Sequence, residues 1–249
     1  MPETPPQQLQ SGHSITNPNL FKALKLFVTG TGTGVGKTYV TQLLLGALSR
    51  LGSSAAGFKP IACGERTDAV DLAAASSPEP ASIDDVNPVF FKNPAAPMAA
   101  SLIEGNKADI PAIKAAYHAL ANQYEHILVE GIGGWAVPVT AGYSMADLVA
   151  DLDLPVLVVV DNRLGALNHT ILTVNAIRAR GLKLAGIVLN HVTDARDAAS
   201  ISNRTILEQL LTPPLMLDIL HDTTEIEWPF PGGQHTAPPL DDRDLASED

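Results

Sequence analysis

Short, continuously apolar runs alternate along the chain with longer stretches of helical spacing, and this alternation predicts strands and helices in turn. Strands are expected at 24–28, 55–59, 126–130, 156–160, 184–189 and 215–219. Helices are expected at 37–51, 110–123, 164–180 and 196–211. The strand runs do not alternate apolar with polar residues, so both faces of the sheet must be covered. That is the signature of a mostly parallel sheet with helices on both faces, an α/β fold built as a single domain. Polar, proline-rich ends at 1–21 and 228–249, the second of them acidic, read as flexible tails around a domain at 22–227. Ligands on such sheets gather at the carboxyl ends of the strands.

The strongest chemical signal stands at the end of the first strand, where Thr29-Gly30-Thr31-Gly32-Thr33-Gly34-Val35-Gly36-Lys37-Thr38 opens the first helix. Glycines permit a tight turn that aims successive N–H groups and the positive end of a helix at one anion. Lys37 would reach the outer phosphates of a nucleotide and Thr38 would sit on Mg2+. The match to G-x-x-x-x-G-K-[ST] is one residue out of step, because Thr31 occupies the first glycine position and Gly30 precedes it. Strand, loop and helix follow in the order a P-loop NTPase-like domain requires.

Other strand ends add to this. Lys59-Pro60 closes the second strand, and a lysine ending an apolar run needs a partner or water. Glu130 closes the third, where a carboxylate in a P-loop protein serves Mg2+. Asp68 could complete an oxygen-only metal site, with Asp71 a competitor for the same place. Gly165, Ala166, Leu167 and Asn168 open a helix after the fourth strand and offer free N–H groups, a weak signal by itself. Asn190, ending the fifth strand, could read a base or satisfy backbone. The seven histidines lack metal-ligand spacing, and His169 and His191 read as structural.

A formal net charge of −11 argues against a nucleic-acid or anionic-membrane surface, because the basic residues are few and scattered. An anionic ligand must then be captured by local geometry. The lone Cys63 excludes an intrachain disulfide and suits a reducing cytoplasm. The longest apolar run is too short to cross a bilayer, and no secretory signal is evident.

With GTGTGVGKT, FKPIACG, VEGIGGW and RLGALNH in this order, the chain resembles the dethiobiotin synthetases over about residues 24 to 220. The resemblance implies ATP- and Mg2+-dependent carboxylation of 7,8-diaminopelargonic acid with CO2, closing a ureido ring and releasing ADP and phosphate. It implies that Lys37 and Lys59 act in catalysis together with Thr33, and that Gly34, Val35, Gly36, Lys37, Thr38 and Asn190 hold ATP. It further implies Mg2+ on Thr38, Asp68 and Glu130. The substrate would meet Thr33, Lys59, Cys63 and Gly133, with Gly165 to Asn168 holding its carboxylate across a homodimer interface. Three departures stand out. Cys63 replaces the serine of many relatives, Gly34 the glutamate of some, and the segment 217–221 lacks the Pro-Trp pair often found after the last strand, which bears on the fit of the base. A related amidating ligase would need an ammonia-supplying domain for which the chain has no room. A ParA-like nucleotide switch would carry an extra lysine early in the loop, where only Gly and Thr stand.

Overall fold

The computed structural model describes residues 23–230, so the tail expected at 1–21, and all of the tail expected at 228–249 beyond residue 230, lie outside it. In chain order the strands are β1 (Lys25–Gly30), β2 (Ala55–Phe58), β3 (Ile61–Cys63), β4 (Val89–Phe91), β5 (His126–Gly134), β6 (Pro138–Thr140), β7 (Tyr143–Ser144), β8 (Val156–Asp161), β9 (Leu184–Asn190) and β10 (Met216–Ile219). The helices are α1 (Lys37–Arg50), α2 (Thr67–Ala74), α3 (Ile83–Val86), α4 (Pro97–Glu104), α5 (Ile110–Gln123), α6 (Met145–Leu152), α7 (Ala166–Ala179) and α8 (Ala198–Leu211).

Six strands form one sheet in the order β10-β9-β8-β1-β5-β2, with every pairing parallel. The apolar runs at the centre of the sheet are buried: Leu26, Phe27 and Val28 on β1, Ile127 to Val129 on β5 and Val156 to Val159 on β8 are at most 1% exposed, whereas most of β10 at the edge is half-buried. The chain builds β2 and β5 on one side of β1 and then crosses to β8 on the other. β1 therefore delivers the glycine-rich loop next to the point where the winding reverses, the place where open α/β sheets bind ligands.

The differences from expectation concern short elements. The strand expected at 55–59 stops at Phe58, and Lys59-Pro60 turns the chain into β3, which pairs with β4 in a separate two-stranded sheet. The strand expected at 126–130 continues to Gly134. Helices α2, α3, α4 and α6, each of eight residues or fewer, escape a periodicity reading because so few turns define no stripe.

Of the tail expected at 228–249, residues 228–230 are described. Trp228 and Phe230 are 6% and 9% exposed, with Trp228 set edge-on to His126 at 6.3 Å and 5.1 Å from Phe230. On its way there from β10 the chain runs along α1, where Tyr39 Oη donates to the Thr223 carbonyl and Arg50 Nη2 donates to that of Ile226 at 2.7 Å.

Candidate active site

The loop between β1 and α1 explains its own irregular glycine. A Cβ on Gly30 would fall 2.7 Å from Val35 Cγ2 and 2.9 Å from the Gly32 carbonyl, so the closest approach of the turn comes one residue earlier than the usual pattern puts it. Gly36 precedes α1 in the left-handed region at φ 86°, and no side chain caps the helix. A side chain at Gly36 would meet Asn190 Nδ2 at 2.2 Å. Asn190, the last residue of β9, donates from Nδ2 to the Val35 carbonyl at 2.9 Å, which pins the loop from behind. Its Oδ1 is buried and has no hydrogen-bond partner among the described residues.

Beside the loop, the residue after β2, the middle of β5 and the first turn of α2 bring charge together. Lys59 is held by its Nζ, which donates to Glu130 Oε1 at 2.5 Å and to Asp68 Oδ2 at 2.6 Å. The lysine and glutamate side chains are 3% and 0% exposed, whereas that of Asp68 is 47% exposed. Thr38 Oγ1 donates to the same Glu130 oxygen at 2.9 Å, and Glu130 Oε2 is buried without a partner among the described residues. Burial disfavours the Lys59 ammonium, but the charges of Glu130 and Asp68 outweigh that and hold its pKa above the ordinary lysine value. Burial likewise works against the Asp68 carboxylate, and the charge and hydrogen bond of Lys59 override it, leaving the pKa below the usual range. Asp71 is exposed on α2, so Asp68 is the residue that faces the lysine.

Lys37 has no carboxylate in contact; its Nζ donates to the Gly32 carbonyl at 3.2 Å. Burial, and next the charge of Lys59, lower its pKa to about 8. A second buried cation this close to the first is costly until anionic charge arrives. The oxygen-only set of Thr38, Asp68 and Glu130, with one Glu130 oxygen left over, fits a hard divalent cation such as Mg2+. Among the described residues no group of three or more His, Cys, Asp or Glu side chains could hold a metal, so ligand oxygens would have to complete such a site.

These groups line a cavity of about 500 Å³ that takes in Thr33, Gly34, Gly36, Lys37, Thr38, Lys59, Cys63, Asp68, Glu130 and Gly133, ten of the expected site residues. Val35, within the loop, and Asn190, bonded to its carbonyl, do not line the cavity. A second cavity of about 420 Å³ shares Thr33, Cys63, Ile132 and Gly133 with the first and is otherwise walled by Pro94 to Pro97 and Val137. That wall was not anticipated, although the Asn-Pro-Ala-Ala-Pro run at 93–97 is a signal for a rigid turn. Burial pushes the Cys63 thiol up to about 11, with Glu104 adding to the effect, so it faces both cavities as a neutral group. Gly165, Ala166, Leu167 and Asn168 line neither cavity; Gly165 precedes α7 at φ 95°, and Asn168 is exposed. His191 meets Asn162 Nδ2 at 3.1 Å in a buried polar cluster, in keeping with a structural role. No helix among the described residues is long and apolar enough to cross a membrane.

Comparison with known proteins agrees with this geometry. A family model described as an AAA domain matches residues 24–219. Among solved structures, a ParA family ATPase from Chlorobium tepidum TLS is 16% identical, with a TM-score of 0.52 over 81% of this chain and 86% of that one. The septum site-determining protein MinD of Pyrococcus horikoshii OT3, complexed with Mg-ADP, is 17% identical with the same TM-score, over 80% of this chain and 82% of its own. These likenesses establish the P-loop NTPase fold. Sequence likeness is much closer elsewhere. The ATP-dependent dethiobiotin synthetase BioD of Akkermansia muciniphila is 46% identical over 78% of this chain and 91% of its own length. That of Aromatoleum aromaticum is 42% identical over 78% and 89%. The chain therefore belongs to the dethiobiotin synthetase family.

Proposed function

We propose that the protein carboxylates 7,8-diaminopelargonic acid with CO2 and closes the ureido ring of dethiobiotin, using ATP and Mg2+ and releasing ADP and phosphate. The observation that carries this reading is the junction of two cavities. One is lined by the charged groups Lys37, Lys59, Asp68 and Glu130 together with Thr38, and it shares Thr33, Cys63, Ile132 and Gly133 with a neighbour that has a largely apolar wall, suited to an aliphatic chain.

In this reading Thr38, Asp68 and Glu130 would hold Mg2+, which supplies charge neutralisation at the phosphates when bound. Gly34 to Thr38 wrap the triphosphate, and Asn190 Oδ1, still without a partner, is the acceptor left for the base. An alkylamine of pKa about 10 is mostly protonated at neutral pH. The two lysine charges disfavour that ammonium, and Thr33 lies beside it. The free amine nitrogen bonds to the carbon of CO2 and gives up a proton, leaving a carbamate anion that Lys59 and Lys37 stabilise. A carbamate oxygen then bonds to the γ-phosphorus as the bond to ADP breaks. The second amine attacks the carbonyl carbon of the resulting carbamic-phosphoric anhydride, phosphate departs, and the released proton passes to water. Positioning and charge supply the catalysis, and no covalent enzyme intermediate is needed.

The substrate's carboxylate ends a long aliphatic chain and needs a second anchor. Gly165 to Asn168 of a two-fold partner would provide it, making a homodimer with shared sites, the commonest closed assembly. A cytoplasmic setting belongs to the same reading. Incubation with Mg-ATP, bicarbonate and the diamine, followed by mass analysis, tests it: the cyclic urea should form, and diamine-independent ATP hydrolysis without that product would overturn the proposal.

A further inference from the structure

Lys59 is fixed from behind as well as from in front. Its backbone N–H donates to the Val86 carbonyl at 2.8 Å, and its carbonyl accepts from Asn87 Nδ2 at 2.8 Å. Asn87 is 2% exposed, and its Nδ2 also donates to the Val89 carbonyl at 3.0 Å. Its Oδ1 accepts from Arg66 Nε at 2.9 Å, while Arg66 Nη2 donates to the Asn87 carbonyl at 3.0 Å, the Ile83 carbonyl at 3.3 Å and Asp84 Oδ1 at 3.1 Å. The guanidinium also lies over the Phe90 ring, 5.6 Å from its centre. Arg66 immediately precedes α2, and two residues further on Asp68 takes the hydrogen bond from Lys59 Nζ. The contacts thus form a closed circuit: Lys59 backbone, Asn87, Arg66, the start of α2, Asp68 and back to the Lys59 ammonium.

We infer that Arg66 and Asn87 are positioning residues that set the place of Lys59 Nζ, an inference that rests on the proposed role of Lys59. Neither lines the cavities, so neither touches a ligand there. They act by holding both the backbone that carries Lys59 and the helix start that carries Asp68. A reacting group displaced by about 1 Å can lose about 10²-fold in rate, so a loosened circuit is felt in turnover even when the fold survives. Lysine cannot replace Arg66, because a single ammonium cannot reproduce a planar fork bonded to several acceptors.

The test uses the full chain. Arg66→Ala should lower kcat by about 10- to 100-fold at saturating substrates, with the KM for ATP within about twofold of wild type. Arg66→Lys should fall between the two, and it decides the question if Arg66→Ala does not fold. Guanidinium at a non-denaturing concentration should partly restore Arg66→Ala and leave Lys59→Ala unimproved. A crystal structure of the same variant provides a readout independent of the reaction, and should show Lys59 Nζ withdrawn from one of its two carboxylates. Wild-type kcat in the folded variants with only a lowered melting temperature, or an undisplaced Lys59, overturns the positioning role. If instead the wild-type chain makes no cyclic urea while Lys59 is displaced in Arg66→Ala, the assigned reaction fails and the positioning role stands.

Discussion

Strand β5 carries two buried ionisable side chains, His126 and Glu130, on the same face of the sheet, and each keeps one atom without a hydrogen-bond partner. They have opposite meanings. His126 Nδ1 accepts from the Leu24 N–H at 3.1 Å, its ring is covered by Trp228, and its nearest ionic neighbour is Glu125 Oε1, 3.8 Å from Nε2. Glu130 receives a hydroxyl from α1 and an ammonium from the residue after β2, and it opens onto a cavity. A buried polar atom alone marks nothing. What distinguishes a site is the convergence of groups from several elements on open space, at the strand ends that face the reversal of winding.

Paired substitutions at the two positions should separate these roles most widely. Glu130→Gln removes the charge that holds Lys59 and the proposed metal, and turnover should fall by about 10²- to 10³-fold. His126→Phe keeps an aromatic ring against Trp228 but strands the Leu24 N–H, so it should cost about 1–3 kcal/mol of stability and leave the turnover of folded protein unchanged. Steady-state kinetics and urea melts on both variants check this. Equal losses of turnover would erase the distinction.

How much of this was legible beforehand follows from the same contrast. The six strands of the sheet, and the residues that the structure gathers round one cavity, were readable, because continuous apolar runs and the glycine-lysine-threonine triplet are signals within a few neighbouring residues. Arg66 and Asn87 were not, since their meaning lies in contacts 21 residues apart that pattern does not register. Trp228 looked like tail because it sits among prolines and acids, and only its packing on His126 shows otherwise. Asn190 was anticipated as a base reader or a backbone partner. The structure shows the backbone contact, with Nδ2 donating to the Val35 carbonyl, and leaves Oδ1 buried without a partner among the described residues.

The lysine that occupies the carboxylate end of the comparison also competes there. With Lys59 Nζ on both Asp68 and Glu130, a divalent cation must displace or share it. Lys59→Met leaves two carboxylates uncompensated, and Mn2+ measured by spin resonance without nucleotide should bind about tenfold more tightly than to wild type. Weaker or unchanged Mn2+ binding would show that the ammonium and the metal do not contend for the same oxygens.

If Asn190 reads the base as proposed, with no Pro-Trp pair in 217–221 to assist it, selectivity among nucleoside triphosphates should be modest. ATP, GTP and CTP offered at equal concentration should all support turnover. A preference for ATP above about 10^4, the range of a site built to hydrogen-bond its ligand, would overturn this expectation.

The smallest expected effect returns to His126. Burial lowers its pKa below the ordinary 6.5, and Glu125, which would favour the charged ring, only partly opposes that. Folded protein therefore keeps the ring neutral at a pH where the unfolded chain has already bound a proton. The stability His126 contributes is fully present above about pH 6.5 and is lost progressively as pH falls towards and through its lowered folded-state pKa. The carboxylates act over a lower range: Asp147, bonded to Arg180 and Ser144, is held at about 2, so its contribution fades only below about pH 4. Urea midpoints taken between pH 7 and pH 5 should fall in wild type and fall less in His126→Phe, with Asp147 unchanged across that window. Parallel slopes in the two proteins would mean that His126 titrates alike folded and unfolded, and that its burial under Trp228 carries no electrostatic cost.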